Sequence, residues 1–152
     1  MKYILAVSLL ITFFAGAEVK NNNPNFDPVL AAKLGADDYG MKSYVLVILK
    51  SGNNKTNDDA TKNAAFRGHM DNIKRLVAMD KLIVAGPMGN NDMSYRGIFI
   101  LNVPTLEEAA ELLKSDPAIK AKYLDAELYN WYGSAALPEY LLASDKIWKV
   151  SP

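Results

Sequence analysis

Residues 44–49, Tyr44-Val45-Leu46-Val47-Ile48-Leu49, are six apolar side chains in a row. A run rich in β-branched and aromatic residues reads as a strand, and successive side chains of a strand point to opposite faces. A sheet with one wet face alternates apolar with polar residues. This run does not alternate, and neither do residues 82–85 or 98–101. The chain therefore needs a sheet covered on both faces.

The elements around these strands fix how that is done. From about Asp58 to Asp80 the spacing turns helical: Phe66, Met70, Ile73, Leu76 and Val77 fall on one face, and Arg67, Lys74 and Arg75 lie away from it. Lys81 to Ala85 reads as a second strand stopped by Gly86-Pro87, and Met88 to Ser94 as a polar loop. Tyr95 to Val103 is a third strand. Thr105 and Glu108 have the spacing of a reciprocal cap for a helix through Leu112 and Leu113. Asp116-Pro117 opens a short helical turn to about Lys122, and Leu124 to Tyr132 is a fourth strand. The order β-α-β-β-α-β is the split plan of α+β, ferredoxin-like domains, here over residues 43–132. Both helices of that plan cover one face. The other face needs the C-terminal tail or a second copy of the sheet. A two-fold homodimer with sheets facing each other about 10 Å apart is the expected solution.

The flanks carry separate signals. Residues 1–17 have one basic residue, an apolar run of roughly a dozen and the small end Ala15-Gly16-Ala17, the three parts of a secretory signal peptide. The run is short of the about 20 residues of a membrane span, so the mature chain is expected to be exported, periplasmic or secreted, with no stable membrane span. Residues 18–42 are a polar lead-in broken by Pro24 and Pro28, with a short helix from Val29 to Leu34 ended by Gly35. Residues 133–152 form an apolar tail containing Leu137, Tyr140, Leu141, Leu142, Ile147 and Trp148, expected to pack on the domain. Charge is balanced at 17 positive and 17 negative, with no basic patch to suggest a nucleic-acid partner. There is no cysteine and one histidine, so neither a disulfide nor a zinc site of the usual ligand type is expected.

That histidine, His69, falls inside the apolar stripe of the first long helix and should point toward the sheet. An imidazole there is either satisfied by a backbone carbonyl or poised for acid–base chemistry, the latter if a carboxylate fixes its tautomer. Asp116 is the candidate carboxylate; it reads equally as a plain helix cap. Arg96, at the start of the third strand, reads as a solvated strand-end arginine or as a group for an anionic substrate.

Residues 66–87, Phe-Arg-Gly-His-Met-Asp-Asn-Ile-Lys-Arg-Leu-Val-Ala-Met-Asp-Lys-Leu-Ile-Val-Ala-Gly-Pro, resemble the central signature of YCII-related proteins, and Ser115-Asp116-Pro117 resembles that family's Asp-Pro after the second helix. The resemblance implies a dimeric α/β barrel of ferredoxin-like subunits. It implies a catalytic pair at His69 and Asp116 and a pocket beside Gly86 and Pro87, the turn near which Arg96 could bind an anionic substrate. It implies small-molecule acid–base chemistry of the lactone isomerase or dehalogenase class, without metal or organic cofactor. The alternative reading is a non-catalytic dimeric module that binds a small ligand or a protein. Ala118 stands where the family usually has an aromatic residue, and the tail is an addition.

Overall fold

The computed structural model describes residues 23–56 and 58–149; the export signal expected at residues 1–17 lies outside them. The elements are α1 (Pro28–Leu34), β1 (Met41–Ser51), α2 (Asp59–Ala78), β2 (Leu82–Pro87), β3 (Tyr95–Leu101), α3 (Leu106–Leu113), α4 (Pro117–Lys120) and β4 (Leu124–Ser134). A 3-10 turn (Leu137–Tyr140) and the short α5 (Leu141–Ser144) follow. The four strands form one sheet in the order β2-β3-β1-β4, every neighbouring pair antiparallel. Each long crossover, β1 to β2 and β3 to β4, skips one strand and carries helix. This is the ferredoxin-like α+β arrangement. No helix among the described residues is long and apolar enough to cross a membrane.

The apolar strands divide their side chains between the two faces. Val45, Val47 and Leu49 of β1, Phe99 and Leu101 of β3 and Leu124 of β4 form a buried core with Leu76, Ala109 and Leu113 from the helices. The alternate set, Leu46, Ile48, Ile98 and Ile100, is only half-buried. The tail covers one end of this second face. The Tyr44 hydroxyl donates to the Ser134 carbonyl (2.8 Å), the Ala135 amide donates to the Gly40 carbonyl, and the Tyr140 hydroxyl donates to the Ile83 carbonyl. Tyr44 is fully buried beneath that turn, beside Trp131.

Several boundaries differ from the sequence reading. β1 begins at Met41 and β4 ends at Ser134, because Met41 pairs with Ser134 and Lys42 with Gly133; pairing partners extend a strand past its apolar stretch. The β1–β4 ladder therefore runs two residues past 43 and 132 at that end. Gly86-Pro87 ends β2 instead of stopping it before Gly86; proline is tolerated there because β2 is an edge strand. The cap of α3 forms only in one direction: Thr105 Oγ1 accepts from the Glu108 amide (3.2 Å), but the Glu108 carboxylate pairs with Lys81 (2.8 Å). Helix α1 has no buried residue. The lead-in is held by polar contacts, with Asp37 accepting from the Tyr132 hydroxyl.

The deepest line on α2 also differs. It runs through Ala65, His69, Asn72 and Leu76. With Phe66 at zero and about 100° per residue, these fall between about 240° and 300°, a quarter turn from the apolar stripe. Helix α4 causes the rotation by packing against α2 at Gly68. A Cβ on Gly68 would lie 2.6 Å from Pro117 Cγ. Gly68→Ala must open that contact, and the gain in helix propensity, about 1 kcal/mol, does not cover the overpacking cost of about 1–3 kcal/mol. Thermal denaturation should show a lower melting temperature for Gly68→Ala.

Candidate functional site

The quarter turn brings two distant parts of the chain together. His69, on the third turn of α2, lies over the sheet with its ring stacked on Phe99 of β3 (centroids 5.8 Å apart, planes at 19°). Phe66 meets the same imidazole edge-on, with centroids 6.3 Å apart. Asp116 stands at the start of α4, where Pro117 occupies a first-turn position that needs no amide partner.

His69 Nδ1 lies 2.7 Å from Asp116 Oδ2. The aspartate is completely buried and the imidazole keeps 10% of its surface. Asp116 is more than a partner for the ring. Its Oδ1 caps α4 by accepting from the Ala118 (3.0 Å) and Ile119 (3.2 Å) amides. Its Oδ2 accepts a second bond from Asn72 Nδ2 (3.2 Å). Burial pushes the Asp116 carboxyl up, but the hydrogen bond and charge of His69, with the Ile119 amide and Asn72, outweigh it and hold the group below the usual aspartate value. Asp116 is therefore a carboxylate that only accepts.

That fixes the ring. An accepting carboxylate at Nδ1 requires a proton there, and in the neutral imidazole the lone pair is then on Nε2. Nε2 has no protein hydrogen bond among the described residues, and the side chain keeps 10% of its surface. The arrangement presents one free basic nitrogen, held at a fixed angle between two aromatic rings.

Two further residues, Arg75 and Ser115, hold Asn72 in place beside the aspartate. Arg75 Nη2 donates to Asn72 Oδ1 (2.7 Å) and to Ser115 Oγ (2.8 Å), and its Nε also donates to Asn72 Oδ1 (3.2 Å). With its oxygen taken by the guanidinium, the Asn72 amide must turn its nitrogen to Asp116. Arg75 reads from the sequence as a solvated side chain; in the fold it spans from α2 to the end of α3. Asn72 and Ser115 appear in the sequence reading only inside the family-like stretches, with no role of their own. The one available signal is that Asn72 and Arg75 follow His69 at successive steps of three, on one helix face.

The pocket residues suggested by the sequence separate. Arg96 lines a cleft of about 330 Å³ at the end of the sheet where β1 meets α2, together with Phe66 and Tyr123. Gly86 and Pro87 do not line it. Among the described residues no three His, Cys, Asp or Glu side chains come together as a metal site would require.

Because the chain has one histidine, its ring nitrogens are unambiguous in a ¹⁵N spectrum. In the neutral form of the ring, the native protein should show a protonated Nδ1 and an unprotonated Nε2. Asp116→Asn, which presents an amide donor or a weaker acceptor, should shift proton occupancy toward Nε2. The same tautomer in both proteins would contradict the pairing.

No curated protein matches the chain. Among solved structures, it is similar to the 5-chloro-2-hydroxyhydroquinone dehydrochlorinase of Burkholderia phenoliruptrix in complex with 2,5-dihydroxybenzoquinone, at 19% identity and a TM-score of 0.41, covering 57% of this chain and 92% of that one. Residues 43–131, more than half of the chain, match the model of the YCII-related domain, and the chain belongs to that family.

Proposed function

We propose that this protein is a small-molecule enzyme in which His69 is the general acid/base and Asp116 the group that orients it. The supporting observation is the 2.7 Å contact between His69 Nδ1 and a buried aspartate whose other lone pairs are all engaged. In this reading Nε2 removes a proton from the bound molecule. Asp116 stabilises the imidazolium that results, and the proton is returned to another atom of the same molecule or to its leaving group. An isomerisation or an elimination of the lactone isomerase or dehalogenase class needs no further reactant.

A panel of small lactones and halogenated hydroxyaromatics, assayed with native protein and with His69→Gln, tests the reading. A positioned general base is worth about 10²–10⁴-fold, so turnover by the native protein should fall by that factor in His69→Gln while the circular dichroism spectrum is unchanged. Turnover that survives the substitution, or a native protein that converts nothing in the panel, would sink the proposal.

The proposal includes a homodimer. The half-buried Leu46, Ile48, Ile98 and Ile100 support a second sheet as their cover. Sedimentation at micromolar concentration should give twice the subunit mass; a single subunit mass would remove this part of the reading.

A further inference from the structure

We infer that the cleft between the β1–α2 loop and the start of β4 is a subsite for a small organic anion, a carboxylate above all. The inference rests on the acid–base reading for what the bound anion is for, but not for where it binds.

Among the described residues the cleft is lined by three cationic side chains, Lys55, Lys62 and Arg96, and by no carboxylate. They come from three separate elements: the loop after β1, the first turns of α2, and the start of β3. Among the described residues none of the three is in an ion pair. In a chain of balanced charge, three unpaired cations around one concavity favour a negative guest. Its volume, about 330 Å³, suits a molecule of one ring.

Tyr123 supplies a second and independent observation. It lines the same cleft and is 92% buried, being 8% exposed. Its hydroxyl is the buried side-chain polar atom without a hydrogen-bond partner among the described residues. A buried donor left unpaired is costly, and native proteins tolerate it where something else completes it. A carboxylate held by Lys62 and Arg96 would accept from that hydroxyl.

The loop is built to stay in place. The Gly52 amide donates to the Tyr123 carbonyl and the Asn54 amide to the Lys122 carbonyl, both at 2.9 Å, and Asn54 Nδ2 donates to the Ala121 carbonyl (2.8 Å). A Cβ on Gly52 would lie 2.1 Å from the Lys122 carbonyl oxygen, so only glycine permits this approach. Phe66 is the wall shared with the reaction site: its ring lies 6.2 Å from that of Tyr123 and 6.3 Å from that of His69. An aromatic acid seated on Phe66 would have its charged end among the cations; His69 itself does not line the cleft.

Benzoate, with benzamide as its neutral counterpart, tests the subsite by chemical-shift titration without any turnover. Benzoate should shift the amides of residues 51–56 and 123–124, and benzamide should not. Lys62→Gln and Arg96→Gln should each weaken benzoate about two- to fivefold, as expected for exposed charge pairs, and the double variant about tenfold. Tyr123→Phe should weaken benzoate while the melting temperature holds or rises, because it removes an unsatisfied buried group. Equal binding of benzamide, benzoate shifts elsewhere in the protein, or no shift at tens of millimolar would overturn the inference. His69→Gln should leave benzoate affinity within about twofold, so loss of the anion site and loss of the acid–base role are separate outcomes.

Discussion

The buried carboxylate of Asp116 is the constraint on which the rest of this structure turns. A charge removed from water is tolerated only when its hydrogen-bonding capacity is met. Here four donors meet it, from two amides of α4 and two side chains of α2. The carboxylate is therefore both the cap of one helix and the anchor of another. Helix α2 is turned to bring its polar residues His69 and Asn72 to that anchor, and its apolar stripe is displaced to a partly buried flank. The imidazole's orientation is a consequence of how the two crossovers pack.

Much of the fold is readable in the sequence because its elements differ in period. Continuous apolar runs mark β1, β2 and β3, a three-to-four spacing marks α2, and Thr105 and Asp116 mark helix starts. His69 and Asp116 stand out singly, one as a titratable group in an apolar stripe, the other as an aspartate before proline. That they meet depends on the docking of α4 at Gly68, a contact between residues 49 positions apart. No local pattern encodes it. Asn72, Arg75 and Ser115 escape for the same reason: on an isolated helix the first two are indistinguishable from a wet face, and Ser115 from an ordinary turn residue.

Two other differences show competition between local and tertiary partners. Glu108 has the spacing to complete its own helix cap, but Lys81 at the foot of β2 offers an opposite charge at 2.8 Å. Gly86-Pro87 has the composition of a stop, but an edge strand asks nothing of a proline's missing donor. The tail follows this pattern as well. Its apolar residues predict packing, while its anchoring is through the hydroxyls of Tyr44 and Tyr140. Leu142, Ile147 and Trp148 remain exposed.

The approach of Gly52 to the Lys122 carbonyl has a mechanical consequence. Two surface segments welded by backbone bonds at both Gly52 and Asn54 move as one plate. A guest at that end of the molecule would enter past the Lys55 and Lys62 side chains without displacing either segment. Exchange at such a rigid mouth is limited by charge and salt rather than by a conformational step.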